Sequence, residues 1–335
     1  MGNSWTKLTA LAALLVCAAA GQAQDAETSP TLKPAKYRFG LIAKSQSNPV
    51  FQAAYKGALA AAADYKQRGV EIEIDWRTPN EEDAQKQSDA IEQLANSGIH
   101  GISVSCSDGA KLTNAINDAV AKGVPVMCFD SDAPRSKRFA YFGVDDMKTG
   151  GRVMEELAKI LGKKGRIAVL AGNQSAPNLQ ARVRGVLAKA KELGYSVNAS
   201  KDVFYHKETP QDSAAKVEEV MNSNPDIVGW AMVGGWPLFT DALLKMDPDK
   251  VAIVSVDALP AQLPYVEAGV ADMLLAQKVF DWGYRSVELL VAKVQGQQVP
   301  EKNISELVPV TKESLKDWAK TLKSWGFEVN PRYLQ

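Results

Sequence analysis

The chain has 335 residues, 46% hydrophobic and 23% charged, enough for two domains that each bury a core. Lys and Arg together number 39, as do Asp and Glu, so there is no basic excess to hold nucleic acid or an anionic membrane surface. Three cysteines and two histidines, His100 and His206, are too few and too scattered for a metal site.

Residues 1–23 read as a secretory leader. Lys7 supplies a positive start, Leu8 to Ala20 is an apolar run too short to span a bilayer, and Ala18, Ala20, Gly21 and Ala23 offer cleavage points. Cys17 raises the alternative of a lipid anchor, but Val16 stands where that signal wants a small residue. Residues 24–36 read as a polar, Pro-containing linker.

Next, Phe39 opens a buried strand and a polar turn follows. A helix then starts with Asn48 at the N-cap and Pro49 in the first turn and ends at Gly69. Val70 to Trp76 alternates apolar with acidic residues, as a strand wet on one face near a sheet edge would. Helices are predicted over 81–97 and 112–121, and buried strands over 101–105 and 124–129. Cys106 and Cys128 fall on neighbouring strands, either joined or acting as small buried thiols. Strand and helix then continue to alternate: helix 150–161, strand 166–171, helix from 174 to 194, strand 202–206, helix 211–223 and strand 227–233. Helix 238–245, strands 251–256 and 271–276, helix 279–294, strand 307–310 and an amphipathic helix from Leu315 to Trp325 complete the chain. This alternation implies parallel sheets covered by helices on both faces.

The series contains a repeat. Gln46, Ser47, Pro49, Gln52, Gly57 and Leu59 recur 128 positions on as Gln174, Ser175, Pro177, Gln180, Gly185 and Leu187. IEQLANS (91–97) matches VEEVMNS (217–223), and VPVMCFD (124–130) matches VAIVSVD (251–257). Two copies of one doubly wound lobe are expected, with a cleft between them. Asp130 and Asp257 then close equivalent strands, at the carboxyl ends where open parallel sheets bind ligands. Each aspartate could instead cap a following turn; their matched placement favours a site. Asn48 serves equally as a helix cap, and Phe51 as a core residue.

Six segments in order carry a resemblance: SNPVFQAAYKGA, VPVMCFDSDAP, YFGVDD, ARVRGV, VSVDALP and GVADMLLAQ. Over residues 37–311 the chain resembles the periplasmic sugar-binding proteins of ABC importers, the ribose-binding-like branch in particular. The resemblance implies two lobes, 37–143 with 278–307 and 144–277 with 308–329, joined by three crossings near Gly143, Gln277 and Val308. It implies a ligand site of Asn48, Phe51, Ser105, Asp130, Ser131, Arg184, Trp236, Asp257 and Gln277, with Phe204 or Tyr205 as a second aromatic wall. Val50, Ser131 and Gly234 depart from the residues common in that family, which puts the identity of the sugar in doubt more than its class. The resemblance further implies a periplasmic monomer without cofactor that gives a monosaccharide, pentose or hexose, to a membrane permease.

Other functions are weighed by the same residues. A glycoside-processing enzyme would use Asp130 and Asp257 as an acid/base pair, but nothing in the sequence splits their roles. A receptor for a sugar-like signal would share the cleft. A repressor would need a DNA-binding region before residue 37, and a dehydrogenase a G-x-G-x-x-G after the first strand; the sequence has neither.

Overall fold

The computed structural model describes residues 35–162 and 165–335. The leader, Cys17 and the linker up to residue 34 lie outside the described residues; Ala35 and Lys36 already belong to the first strand.

Among the described residues two sheets carry the fold, one per expected lobe, each of six strands. The first holds β1 (Ala35–Ile42), β2 (Val70–Trp76), β3 (Gly101–Val104), β4 (Val126–Phe129), β5 (Ala140–Gly143) and β11 (Lys302–Ile304) in the order β11-β5-β4-β3-β1-β2. The second holds β6 (Arg166–Gly172), β7 (Val203–Tyr205), β8 (Ile227–Met232), β9 (Ala252–Val256), β10 (Met273–Ala276) and β12 (Val308–Val310) in the order β12-β10-β9-β8-β6-β7. The two orders match strand for strand, except that β12 runs antiparallel to its neighbour where β11 runs parallel, so the repeat seen in the sequence is a repeat of topology. Every pairing is parallel except β10 with β12. The half-polar β2 is an edge strand, as its alternation requires. The chain passes between the sheets after Gly143, after Gln277, and between Ile304 and Val308.

Helices α1 (Pro49–Gln67) and α8 (Val279–Val294) pack together on the first sheet, and α4 (Asp146–Leu161) with α5 (Pro177–Glu192) on the second. The repeated glycine explains both pairs. A Cβ on Gly57 would stand 1.9 Å from the Phe280 carbonyl oxygen, and one on Gly185 would stand 2.1 Å from that of Met147. Only glycine lets the backbones approach so closely. On the far face of the first sheet, α2 (Ala84–Ala95) and α3 (Gly109–Ala121) bury Ile91, Leu94, Leu112 and Ile116 against Ile42, Ile102 and Val104. The Sγ atoms of Cys106 and Cys128 lie 3.9 Å apart in that layer as free thiols.

The remaining helices are α6 (Pro210–Ser223), α7 (Leu263–Ala268) and α9 (Leu315–Ser324). The helix expected over 238–245 is instead one 3₁₀ turn, Trp236–Phe239. Thr240 is extended (φ −122°, ψ 168°) and ends it. The Tyr265 hydroxyl then donates to the Thr240 carbonyl and accepts from the Leu243 N–H, holding the segment in turns. Sequence reading missed β5 and β11, whose three- and four-residue lengths leave no period to detect, and the single-turn-scale α7.

Candidate functional site

The site forms where the carboxyl ends of both sheets meet. Asp130 follows β4 and Asp257 follows β9. Among the described residues they are the two non-glycine positions with positive φ, 54° and 75°. The left-handed region costs an ordinary side chain about 1–2 kcal/mol, and short carboxylates tolerate it best. Each is held there in the same way: its N–H donates to the next strand, Asp130 to Phe142 O and Asp257 to Leu275 O, both at 3.0 Å. Backbone strain and pseudo-symmetry therefore coincide on the two residues singled out by the repeat.

Both aspartates line a tightly closed inter-lobe chamber with about 20 Å³ of free volume. The first lobe contributes Lys44, Asn48, Val50, Phe51 and Trp282; the second contributes Asn178, Leu179, Arg182, Glu208, Gly234 and Trp236, with Gln277 at a crossing. Asn48 caps α1 through its carboxamide oxygen, which accepts from Val50 N at 3.2 Å, leaving its N–H donors for the chamber. Phe51 and Trp282 form an aromatic wall with ring centroids 6.0 Å apart. The Trp236 ring lies on Gly172 and Gly234, where a Cβ would approach it to 2.6 and 2.5 Å, and His206 stacks edge-on behind it at 5.0 Å.

Hydrogen bonds fix the polar lining. Ser105 donates to one Asp130 oxygen at 2.8 Å and the Asn178 amide to the other at 3.1 Å. Gln277 donates to Asp257 at 2.8 Å, and Gly235 N–H reaches its second oxygen at 3.3 Å. Arg182 ties these together. It donates to Asp146 at 2.8 Å, to the Val233 carbonyl at 3.0 Å and to the Gln277 carbonyl at 2.8 Å, and it lies 3.9 Å from Asp130. Across the cleft, Lys44 donates to both oxygens of Glu208 at 2.9 and 3.0 Å.

Burial pushes the carboxyls of Asp130 and Asp257 up, while Lys44 and Arg182 pull the first back and Arg182 the second. Asp146, buried beneath Arg182, is pushed up to about 6 against the pull of that cation. Burial works against the Lys44 ammonium, but Glu208, Glu82 and Asp130 outweigh it and raise its value. A carboxylate oxygen accepts two bonds, so each aspartate retains acceptor capacity for hydroxyl donors, and Arg182 and Lys44 retain N–H donors for hydroxyl oxygens.

The structure thus brings Asn48, Phe51, Asp130, Trp236, Asp257 and Gln277 to one chamber. Ser105 sits behind Asp130 as its partner. Ser131 is fully buried outside the lining, its hydroxyl unpaired. Arg184 is a correction: it is exposed, and Arg182 lies in the chamber instead. Along α5, Asn178 and Arg182 are one turn apart on a single face, and residue 184 lies about 200° further round. The aromatic choice at 204 and 205 is also corrected. Phe204 packs on Trp230 at 5.9 Å, Tyr205 lines a separate outer pocket, and neither walls the chamber.

Lys44, Asn178, Arg182, Glu208 and Trp282 were missed. A signal existed for Lys44, a lone charge straight after a buried strand, as Asp130 is. Asn178 and Arg182 had none, because their counterparts in the first copy are Val50 and Ala54.

Comparison with known proteins places the chain in a family. The ribose import binding protein of Bacillus subtilis is 28% identical over 162 residues, 48% of this chain and 51% of that protein. A xylitol-binding protein of Mycolicibacterium smegmatis is 25% identical over 207 residues, 59% of this chain and 57% of its own. The matched stretch spans little more than half the length of these curated relatives. An ABC transporter solute-binding protein of Burkholderia graminis, solved with D-arabinose, shares the fold at a TM-score of 0.76 and 24% identity, covering 84% of this chain and 97% of its own. The sequence profile of the periplasmic binding protein domain matches residues 39–298, and the chain belongs to that family.

Proposed function

We propose that this chain is an exported solute-binding protein that captures one monosaccharide, a pentose or a hexose, between its lobes. It releases the sugar unaltered to the membrane permease of an ABC importer. The observation that carries this reading is the pair of left-handed, strand-end aspartates, each with lone pairs unspent, beside one arginine and an aromatic wall. A sugar ring presents hydroxyls at its rim and C–H groups on its faces; the chamber offers acceptors and donors for the first and Phe51, Trp282 and Trp236 for the second. Hydrogen bonds to charged groups contribute about 1.5–3 kcal/mol each, and a micromolar complex needs about 8 kcal/mol in all. Relatives named for ribose and xylitol, and a fold relative solved with D-arabinose, support a small polyol and favour a pentose.

An acid/base role for the two aspartates is not favoured. Both shift upward from burial and both are drawn back by cations, Asp130 by Lys44 and Arg182 and Asp257 by Arg182, whereas an acid/base pair needs its two values pushed apart. The leader supports a periplasmic location, and the family supports a permease as partner. Mass spectrometry of ligand retained by the purified protein, with calorimetry against a monosaccharide panel, tests the proposal. One-site binding of a free sugar without turnover is expected. Product released from a chromogenic glycoside, or no sugar bound, would overturn it.

A further inference from the structure

The cleft between the lobes holds two spaces. Beyond the inner chamber lies an outer pocket of about 530 Å³, lined from the first lobe by Ser45 and Glu82 and from the second by Tyr205 and His206. Glu208 lines both spaces. Lys44, bonded to both Glu208 oxygens, stands on the inner side, and Ser45 and Ser47 of its turn stand on the outer.

We infer that the Lys44–Glu208 pair is a cross-lobe wall that sets the upper size of the ligand at one sugar ring and excludes glycosides whose substituent would reach the outer pocket. This rests on the sugar reading above. The pair stands between the two spaces, its side chains are 3% and 7% exposed, and its members come from opposite lobes. It therefore forms only when the lobes meet. A two-point ion pair taken out of water is costly to leave half-made, so a substituent that parted it would have to supply equivalent partners to both charges. The outer pocket, about 530 Å³, would hold a second ring once the wall is absent. A pair with only a structural role would alter stability and leave this discrimination unmoved.

The test is calorimetry with D-ribose, D-arabinose and D-xylose, and with the 4-nitrophenyl glycosides of each in both anomers. Wild-type protein is expected to bind a free pentose and to bind every aryl glycoside at least 100-fold more weakly. The double variant Lys44→Ala/Glu208→Ala is expected to narrow that gap to tenfold or less by binding the glycoside of the preferred sugar more tightly than the wild type does. The conservative variant Lys44→Arg, which keeps a cation against Glu208 and Glu82, should retain the exclusion. Should the double alanine variant fail to fold, Glu208→Ala alone carries the same expectation. Equal binding of sugar and glycoside by the wild type, glycoside binding no tighter in the alanine variants, or admission of the glycoside by Lys44→Arg would overturn the wall. A wild type that binds a free sugar but fails these comparisons leaves the sugar reading standing. A wild type that binds no free sugar removes both.

Discussion

Asp130 and Asp257 contribute to this molecule through conformation as much as charge. Each is kept in a left-handed turn that most residues avoid, and each has its two oxygens oriented by neighbours before any ligand arrives. Asp130→Asn and Asp257→Asn should therefore weaken sugar binding by about tenfold or more each, the difference between a charged and a neutral acceptor, with the fold retained. Calorimetry and a thermal melt on each variant separate the two effects. Arg182 is the sharper case, because its charge faces three buried carboxylates. Arg182→Met should cost about 3–5 kcal/mol of stability by leaving them uncompensated, measurable by urea denaturation. The exposed Arg184→Ala should stay within about 0.5 kcal/mol of wild type in the same assay. The sequence made the aspartates legible because they repeat. It left Arg182 hidden because ARVRG offers two arginines two positions apart, and only the helix's rotation in place decides which one turns inward. Glu208 was invisible for a different reason: it lies in a turn, outside any periodic element, and its partner is 164 residues away.

At the scale of elements, the periodic segments were readable and the short or irregular ones were not. Val70–Trp76 and Val279–Val294 have the bounds expected of them, because alternation and a long apolar stripe specify them locally. The expected helix at 238–245 failed because Tyr265, far along the chain, competes for its backbone groups. Asn48 and Pro49 start α1 as read, while its twin α5 keeps only the proline: Ala176 at that N-cap makes no side-chain bond. The matched glycines lead to a prediction about packing. Gly57→Ala would drive a methyl into the Phe280 carbonyl and push α1 from α8, costing about 1–3 kcal/mol. Gly185→Ala should do the same between α5 and α4. A fall in Tm for both is expected; no change in either would mean that these helix pairs tolerate separation.

For the whole molecule, closure is linked to protons. Glu82 lies beside Glu208 of the opposite lobe, and burial together with that charge pushes its carboxyl up to about 7. A carboxylic acid whose value is raised on closing takes up a proton as it closes. The stabilisation is thus fully present below the ordinary carboxylate value and is lost as pH rises through 7. Asp130, Asp146 and Asp257 shift in the same direction. From pH 6.5 to 8 the Kd for a bound pentose should rise through Glu82, and Glu82→Gln should remove that part. A Kd that falls over this range, or an unchanged profile in Glu82→Gln, would exclude the linkage. The two-lobed plan itself was the most legible feature of the sequence, because duplication writes the same strand order twice. What duplication could not reveal is how the copies differ at the chamber, where Asn178 and Arg182 stand at the positions that Val50 and Ala54 hold in the first copy.

The central claim is that one sugar is held between matched aspartates on opposing lobes. Calorimetric titration of the double variant Asp130→Asn/Asp257→Asn against the sugar that the wild type binds tests it most directly. Single-site binding by the wild type and a loss of about 100-fold or more in the folded double variant is the predicted result. Affinity equal to wild type in that variant would place the ligand elsewhere and contradict the account.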